Sequence, residues 1–216
     1  MCSQKTDRND TFLWLAPFAP PKGHTSVPAG GMCLCVFLFV VKGREVLLGK
    51  YREHPAWEKI AGMDAGRVKA NRHGLTLPAS HLKFGEDPME AARRVGEEIL
   101  MLPKGLAYSE PLVQTFFYEL SIAPGEMHFD VLFLYDLLLD EVFKIGLPPW
   151  YASLEWFDVD ALMNQKYARQ HEDVVSAWLK KKRNDFFHMG QDYRDNDKKC
   201  KSRQDPHRCR SRVADK

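Results

Sequence analysis

Cysteine is scarce in this chain: five in 216 residues, Cys2, Cys33, Cys35, Cys200 and Cys209. So few, so scattered, exclude the disulfide framework of a small secreted domain, and a reducing cytoplasm suits them best. Membrane-length apolar runs are missing too. The strongest, Met32–Val41 (MCLCVFLFVV), is ten residues long, and a spanning helix needs about 20. The residues before it include Asp7, Asp10 and several prolines, which is not how a signal peptide is built. No internal repeat is present. Net charge is small, +2, but unevenly placed: 180–216 carries 13 Lys/Arg against 6 Asp/Glu, a net of +7, and the rest is mildly acidic at −5. A basic tail of that kind fits RNA or another anionic partner through counterion release, and equally a solubilising end. Cys200, His207 and Cys209 offer that tail three zinc-ligand types, without a C-x-x-C pair or an obvious fourth ligand.

What remains is a globular composition, 44% hydrophobic, long enough for one domain with extensions. Residues 1–31 read as an irregular arm broken by Pro17, Pro20, Pro21 and Pro28, with Trp14, Leu15 and Phe18 able to pin it to the body. Met32–Val41 lacks polar alternation and reads as a strand buried on both faces, on which Cys33 and Cys35 share one side. Glu45–Tyr51 returns as its hairpin partner across Gly43. The insertion 54–74 is punctuated by Pro55, Gly62, Gly66 and Gly74; its Trp57, Ile60 and Met63 fit one helical turn, and its Lys59, Arg67, Lys69, Arg72 and His73 fit an anion contact or a solvated loop. A short strand follows at Leu75–Leu82. Then come strands at Val113–Ile122, Met127–Leu139 and Leu154–Val159, and helices at Asp160–Gln165 and Ala168–Lys181. The 183–216 tail is poor in aliphatics and reads as disordered. This order predicts an α/β domain over 32–182, a mixed sheet with helices packed on it.

The most informative stretch is Leu77–Leu102, LPASHLKFGEDPMEAARRVGEEILML. It predicts a strand end, a glycine-containing loop and a helix over Asp87–Leu102. Asp87 suits the N-cap, Pro88 the first helical position, and Glu90 the reciprocal half of a capping box. At about 100° per residue, Ala91, Ala92, Val95, Ile99 and Leu102 share one face. Glu86, Glu90 and Glu97 lie opposite and Glu98 at the border.

This segment resembles the Nudix box, G-x5-E-x7-R-E-U-x-E-E-x-G-U, where U is aliphatic. Two registers compete. Without a gap, Ser80 stands at the first Gly, Glu86 at the first Glu, Arg94 at the Arg and Glu98 at the first of the paired Glu residues. Val95 and Ile99 then occupy two Glu positions, and Met101–Leu102 the final Gly-aliphatic pair. With one residue deleted before the Arg, Arg93 takes its place and Glu97–Glu98 form the pair. The ungapped register keeps the helix regular and is preferred. In either, at least one expected carboxylate is absent.

The resemblance implies a Nudix-like α/β/α sandwich with a mixed β-sheet. It also implies metal-dependent cleavage of a pyrophosphate bond in a nucleoside diphosphate linked to another moiety, with Mg²⁺ or Mn²⁺ as cofactor. By the resemblance Glu98, Glu86, Glu97 and Glu90 are the candidate metal ligands. Glu98, Glu97 and Arg94 are the candidate catalytic groups, with Arg94 orienting Glu86 by ion pairing, and Ser80 and His81 are candidate substrate contacts. Members of this family often dimerise, so a homodimer is a further expectation. The alternative from the same residues is a catalytically impaired binding module for a nucleotide, RNA or a partner protein. Weaker candidates near the expected cleft are Glu126, His128 and Asp130 at a hairpin, Asp140 and Glu141 in a late loop, and Trp150, Tyr151 and Trp156 as stacking groups.

Overall fold

A computed structural model describes residues 13–14, 31–61, 63–119, 124–140, 142–169 and 171–182. Most of the N-terminal arm, Glu141 and the 183–216 tail with Cys200, His207 and Cys209 lie outside the described residues. The chain divides into two units, Met1–Val175 and Ser176–Lys216. In the second, Lys182 Nζ lies 5.5 Å from the centre of the Trp178 ring, a cation–π contact.

The first unit is built on strands β1 (Leu13–Trp14), β2 (Met32–Lys42), β3 (Glu45–Tyr51), β4 (Ala79–His81), β5 (Leu112–Glu119), β6 (Met127–Leu138) and β7 (Tyr151–Asp158). They join one sheet in the order β5-β6-β2-β3-β7, with β1 and β4 attached to β2. β2 and β6 run parallel, and the other pairings are antiparallel, so the sheet is mixed as expected. β1 extends the ladder of β2 through Leu13 and Trp14, which ties part of the arm to the body.

β2 and β3 pair only beside their turn, at Val41↔Val46 and Lys42↔Glu45. Beyond it they part, and the 75–82 segment fills the gap. Gly49 and Thr76 exchange both backbone hydrogen bonds at 2.9 and 2.8 Å, and the Leu38 N–H donates to the Pro78 carbonyl. The segment meets both strands, which satisfies backbone groups the split would otherwise orphan.

Side chains alternate across the central strands as the period of two requires. Val36, Leu38 and Val40 of β2 share a core with Tyr135 and Leu137 of β6 and with Ala91, Ala92, Val95 and Ile99. Cys33, Cys35 and Phe37 face the other way, where His171 meets the Phe37 ring edge-on at 5.0 Å. His171 opens a helix over 171–182. A mixed sheet with helices packed on it makes an α/β fold.

The insertion expected to hold one helical turn forms two short helices, α1 (Ala56–Ala61) and α2 (Ala65–Asn71). Trp57 anchors the first: its indole N–H reaches the carbonyls of Arg52 and Trp150, both at 3.0 Å, and its ring stands edge-on to Tyr51 and Tyr151. Asp64 caps the second by accepting the Arg67 N–H. β7 starts three residues earlier than expected, and Tyr151 within it is a buried core residue rather than a stacking platform.

Candidate functional site

α3 (Pro88–Arg94) starts as its sequence dictates. Asp87 accepts the Glu90 N–H at 2.8 Å and Glu90 accepts the Asp87 N–H at 3.1 Å, a complete capping box. The helix is not regular beyond Arg94. Val95–Ile99 widens into a π-helical turn, with the Leu100 N–H reaching the Val95 carbonyl.

The ungapped register therefore stands on other grounds than helical regularity. Arg94 Nε and Nη2 hold the two oxygens of Glu86 at 2.6 and 2.8 Å, which no Arg93 pairing replaces. At the far end Met101 has φ 58°, one of two non-glycine residues among those described with positive φ. A left-handed backbone is what a glycine serves at the end of a helix. Met101 stands where the box has that glycine.

The same arginine organises the loop before the helix. Its Nη1 donates to the Ser80 hydroxyl at 3.0 Å and its Nη2 to the His81 carbonyl at 2.9 Å. Ser80 in turn donates to the Ile60 carbonyl at 2.6 Å, linking the loop to α1. Serine at the box's first glycine position thus fills its place with a hydroxyl that has work for both its donor and its lone pairs. Burial alone would raise the carboxyl pKa of Glu86; the Arg94 bonds and the Lys83 N–H outweigh it and hold Glu86 below the usual range.

The candidate metal ligands do not gather. Glu86 spends both oxygens on Arg94, and Glu90 spends one on the cap. Glu98 is exposed and Glu97 half-buried. Val95 and Ile99, at two Glu positions of the box, are 0% and 3% exposed and belong to the core. Gly96 stands between them, and a side chain there would collide with the Tyr108 hydroxyl. Among the described residues no three of the box carboxylates come within ligating distance of one another. Mg²⁺ keeps several waters and takes one or two carboxylates beside a substrate's phosphates; a cluster of three box carboxylates is not what the described residues offer it.

The remaining candidates are dispersed. His81 turns its ring to the opposite face of the sheet from Arg94, with His128 and Asp130. Asp140 is exposed and Glu126 partly so, and Glu141 lies outside the described residues. Trp150 donates its indole N–H to the Ile99 carbonyl at 3.1 Å, closing the end of the box helix. Trp156 does line a cleft. It shares about 540 Å³ with Lys42, Leu47, Phe143, Lys144 and Ile145 on the core side of the sheet, and Lys42 Nζ lies 4.4 Å from its ring centre. Trp156 is a stacking candidate expected from the sequence; Lys42 meets it through the β2–β3–β7 register and Lys144 through the loop after β6, pairings that the sequence does not display. Arg72 of the insertion pairs with Glu53 at 3.1 Å.

No family model matches the chain, and no curated protein matches it in sequence. Solved structures do. A MutT protein from Methanosarcina mazei Go1 matches with a TM-score of 0.50 at 12% identity, over 70% of this chain and 95% of its own. The Nudix domain of NrtR from Shewanella oneidensis, solved with ADP ribose, matches with a TM-score of 0.47 at 13% identity, over 76% of this chain and 93% of its own. A Nudix hydrolase from Nitrosomonas europaea matches at 0.42 and 14% identity, over 68% of this chain and 87% of its own. At such identities the likeness is one of fold. No described helix is long and apolar enough to cross a membrane. A mixed sheet, a Glu–Arg-clamped loop and helix in the register of the box, and the likeness to the MutT structure lead to one conclusion: the chain has the Nudix fold.

Proposed function

We propose that this chain is a Nudix-fold binding module for a nucleotide-type anion and that it does not hydrolyse its ligand. The observation that carries the reading is the burial of Val95 and Ile99 in the core, at two positions where the box has glutamates. The loop and helix keep their clamp, Glu86–Arg94, while the cation-binding carboxylates are dispersed. The cleft beside Trp156 supplies what a nucleotide needs without a metal: an aromatic face and the two cations Lys42 and Lys144.

The competing reading is metal-dependent pyrophosphate cleavage with Glu98 as leading ligand, supported by Glu86, Glu97 and Glu90. One experiment separates them. The purified full chain is incubated with nucleotide sugars, dinucleoside polyphosphates and nucleoside triphosphates in Mg²⁺ and in Mn²⁺. Binding of ADP-ribose is measured in parallel by calorimetry, with and without the metal. Binding that is indifferent to metal, with no release of mononucleotide or phosphate, supports the module. Turnover that needs metal and is lost in Glu98→Gln returns the hydrolase.

The basic tail adds a separate expectation. Truncation at Arg183 removes 10 Lys/Arg and 6 Asp/Glu, a net of +4, and should abolish any salt-sensitive RNA binding. Unchanged RNA binding after truncation would remove the tail from that role.

A further inference from the structure

The sheet face turned away from the box helix holds a second group of chemically capable side chains. β2 sets Cys33 and Cys35 on it with their sulfur atoms 3.3 Å apart. β4 pairs with β2 so that His81 stands beside Cys35, and β6 runs parallel to β2 with Asp130 beside Cys33. One ligating atom from each of Cys33, Cys35 and His81 lies within 4.8 Å of the others, and the same holds for Cys33, His128 and Asp130. The two triads share Cys33.

A purely structural reading accounts for half of this. The Cys33 thiol donates to Asp130 Oδ1, the Tyr118 hydroxyl to Asp130 Oδ2 at 2.9 Å, and His128 Nε2 lies 3.0 Å from Oδ1. It leaves His81 unexplained. That ring is 4% exposed, and its Nδ1 is buried without a hydrogen-bond partner. A buried imidazole nitrogen with nothing to bind is costly. Here it belongs to a histidine packed against two thiols, which is a donor set selective for thiophilic cations.

We propose that Cys33, Cys35, His81 and Asp130 form a four-coordinate Zn²⁺ site. Cys33, Cys35 and His81 already stand together, while Asp130 is grouped with Cys33 and His128, so it closes the set by turning its carboxylate oxygen from the Cys33 thiol to the ion. Four protein ligands are the mark of a structural rather than a catalytic zinc. With Zn–S near 2.3 Å, tetrahedral sulfurs sit about 3.8 Å apart. The cysteine side chains therefore open by about half an ångström from their present 3.3 Å. His128 and Tyr118 become the outer partners that hold the Asp130 carboxylate in place. The two thiol protons leave to solvent as the metal enters. The ion would tie β2, β4 and β6 together on the face opposite the box helix, so this site stands whether or not the binding-module reading does.

The test uses the full chain, reduced and stripped with a chelator, then titrated with Co²⁺ and with Zn²⁺. The expected result is one equivalent of Co²⁺ with tetrahedral visible bands and a thiolate-to-cobalt charge-transfer band, displaced by Zn²⁺. The melting temperature should rise on metal addition. Cys33→Ser and His81→Gln should lose the band, Tyr118→Phe should weaken affinity about tenfold, and a Cys200→Ser/Cys209→Ser variant should bind as the parent does. The proposal is overturned if the parent chain gives no charge-transfer band, a readout that holds even if the ligand variants fail to fold. It is equally overturned if binding survives Cys33→Ser but vanishes in the tail variant, or if Cys33 and Cys35 are found joined in protein isolated without oxidant.

Discussion

Arg94 binds Glu86 in a bidentate fork, 2.6 and 2.8 Å, with about a tenth of each side chain exposed. Its two further bonds, to Ser80 and the His81 carbonyl, make it the post that fixes the loop to the helix. Arg94→Ala leaves a buried carboxylate unpaired and should cost about 3 kcal/mol in urea unfolding. Arg94→Lys keeps the charge but not the fork, and should recover less than half of that loss. A cost below about 0.5 kcal/mol, the range of exposed pairs, would mean that the fork is a surface contact.

Val95→Glu tests which environment that position meets. In the core it places an unpaired carboxylate among Leu38, Ala92 and Ile99 and should cost at least about 3 kcal/mol. Tolerance of the change, or a gain of Mg²⁺ affinity, would show that the position opens onto a metal cleft.

Gly96 and Tyr108 form a second coupled pair. A Cβ at 96 would overlap the Tyr108 hydroxyl, and that hydroxyl is itself buried without a partner. Burial and the neighbouring Glu97 push its pKa up to about 12, so it stays protonated. Tyr108→Phe should be neutral or stabilising by up to about 1 kcal/mol. Gly96→Ala should destabilise by about 1–2 kcal/mol despite the better helix propensity of alanine. The double variant should recover most of that loss, so a double-mutant cycle showing simple additivity would contradict the packing described.

His171 predicts a pH dependence. Burial first, and Arg169 second, hold its pKa well below the ordinary histidine value near 6.5. Its Nδ1 accepts the Leu77 N–H at 3.2 Å, so the folded ring is neutral. The unfolded chain takes up a proton first. Stability from this group is complete above about pH 6.5 and falls as pH drops below it, by at most about 1.4 kcal/mol per unit. Melting followed from pH 7.5 to 5 should show a steeper acid loss in the parent than in His171→Gln. Parallel curves would remove His171 as the source.

Much of this fold was legible because its signals are local. The capping box at Asp87–Glu90, the apolar face from Ala91 to Leu102 and the hairpin around Gly43 depend on near neighbours and formed as read. The split between β2 and β3 was not legible, since it exists only where the 75–82 segment inserts between them. Nor was the π-helical turn, because widening a helix changes no residue type. At the site, the box positions were readable but the use of Glu86 and Glu90 was not. A carboxylate bound to a cap or an arginine has the same sequence as one awaiting a cation. Cys33 and Cys35 were placed on one side of a strand, but the histidine and aspartate beside them come from strands distant in the chain.

β2 is the floor of both layers, one for its even-numbered residues and one for its odd-numbered ones. The two chemistries are therefore insulated by a single backbone and can diverge independently, as long as the spacing from Gly31 to Gly43 is kept. Adding or removing one residue there would exchange Leu38 for Phe37 and send the thiols under the helix. Insertions in this strand should be far more damaging than any substitution in it.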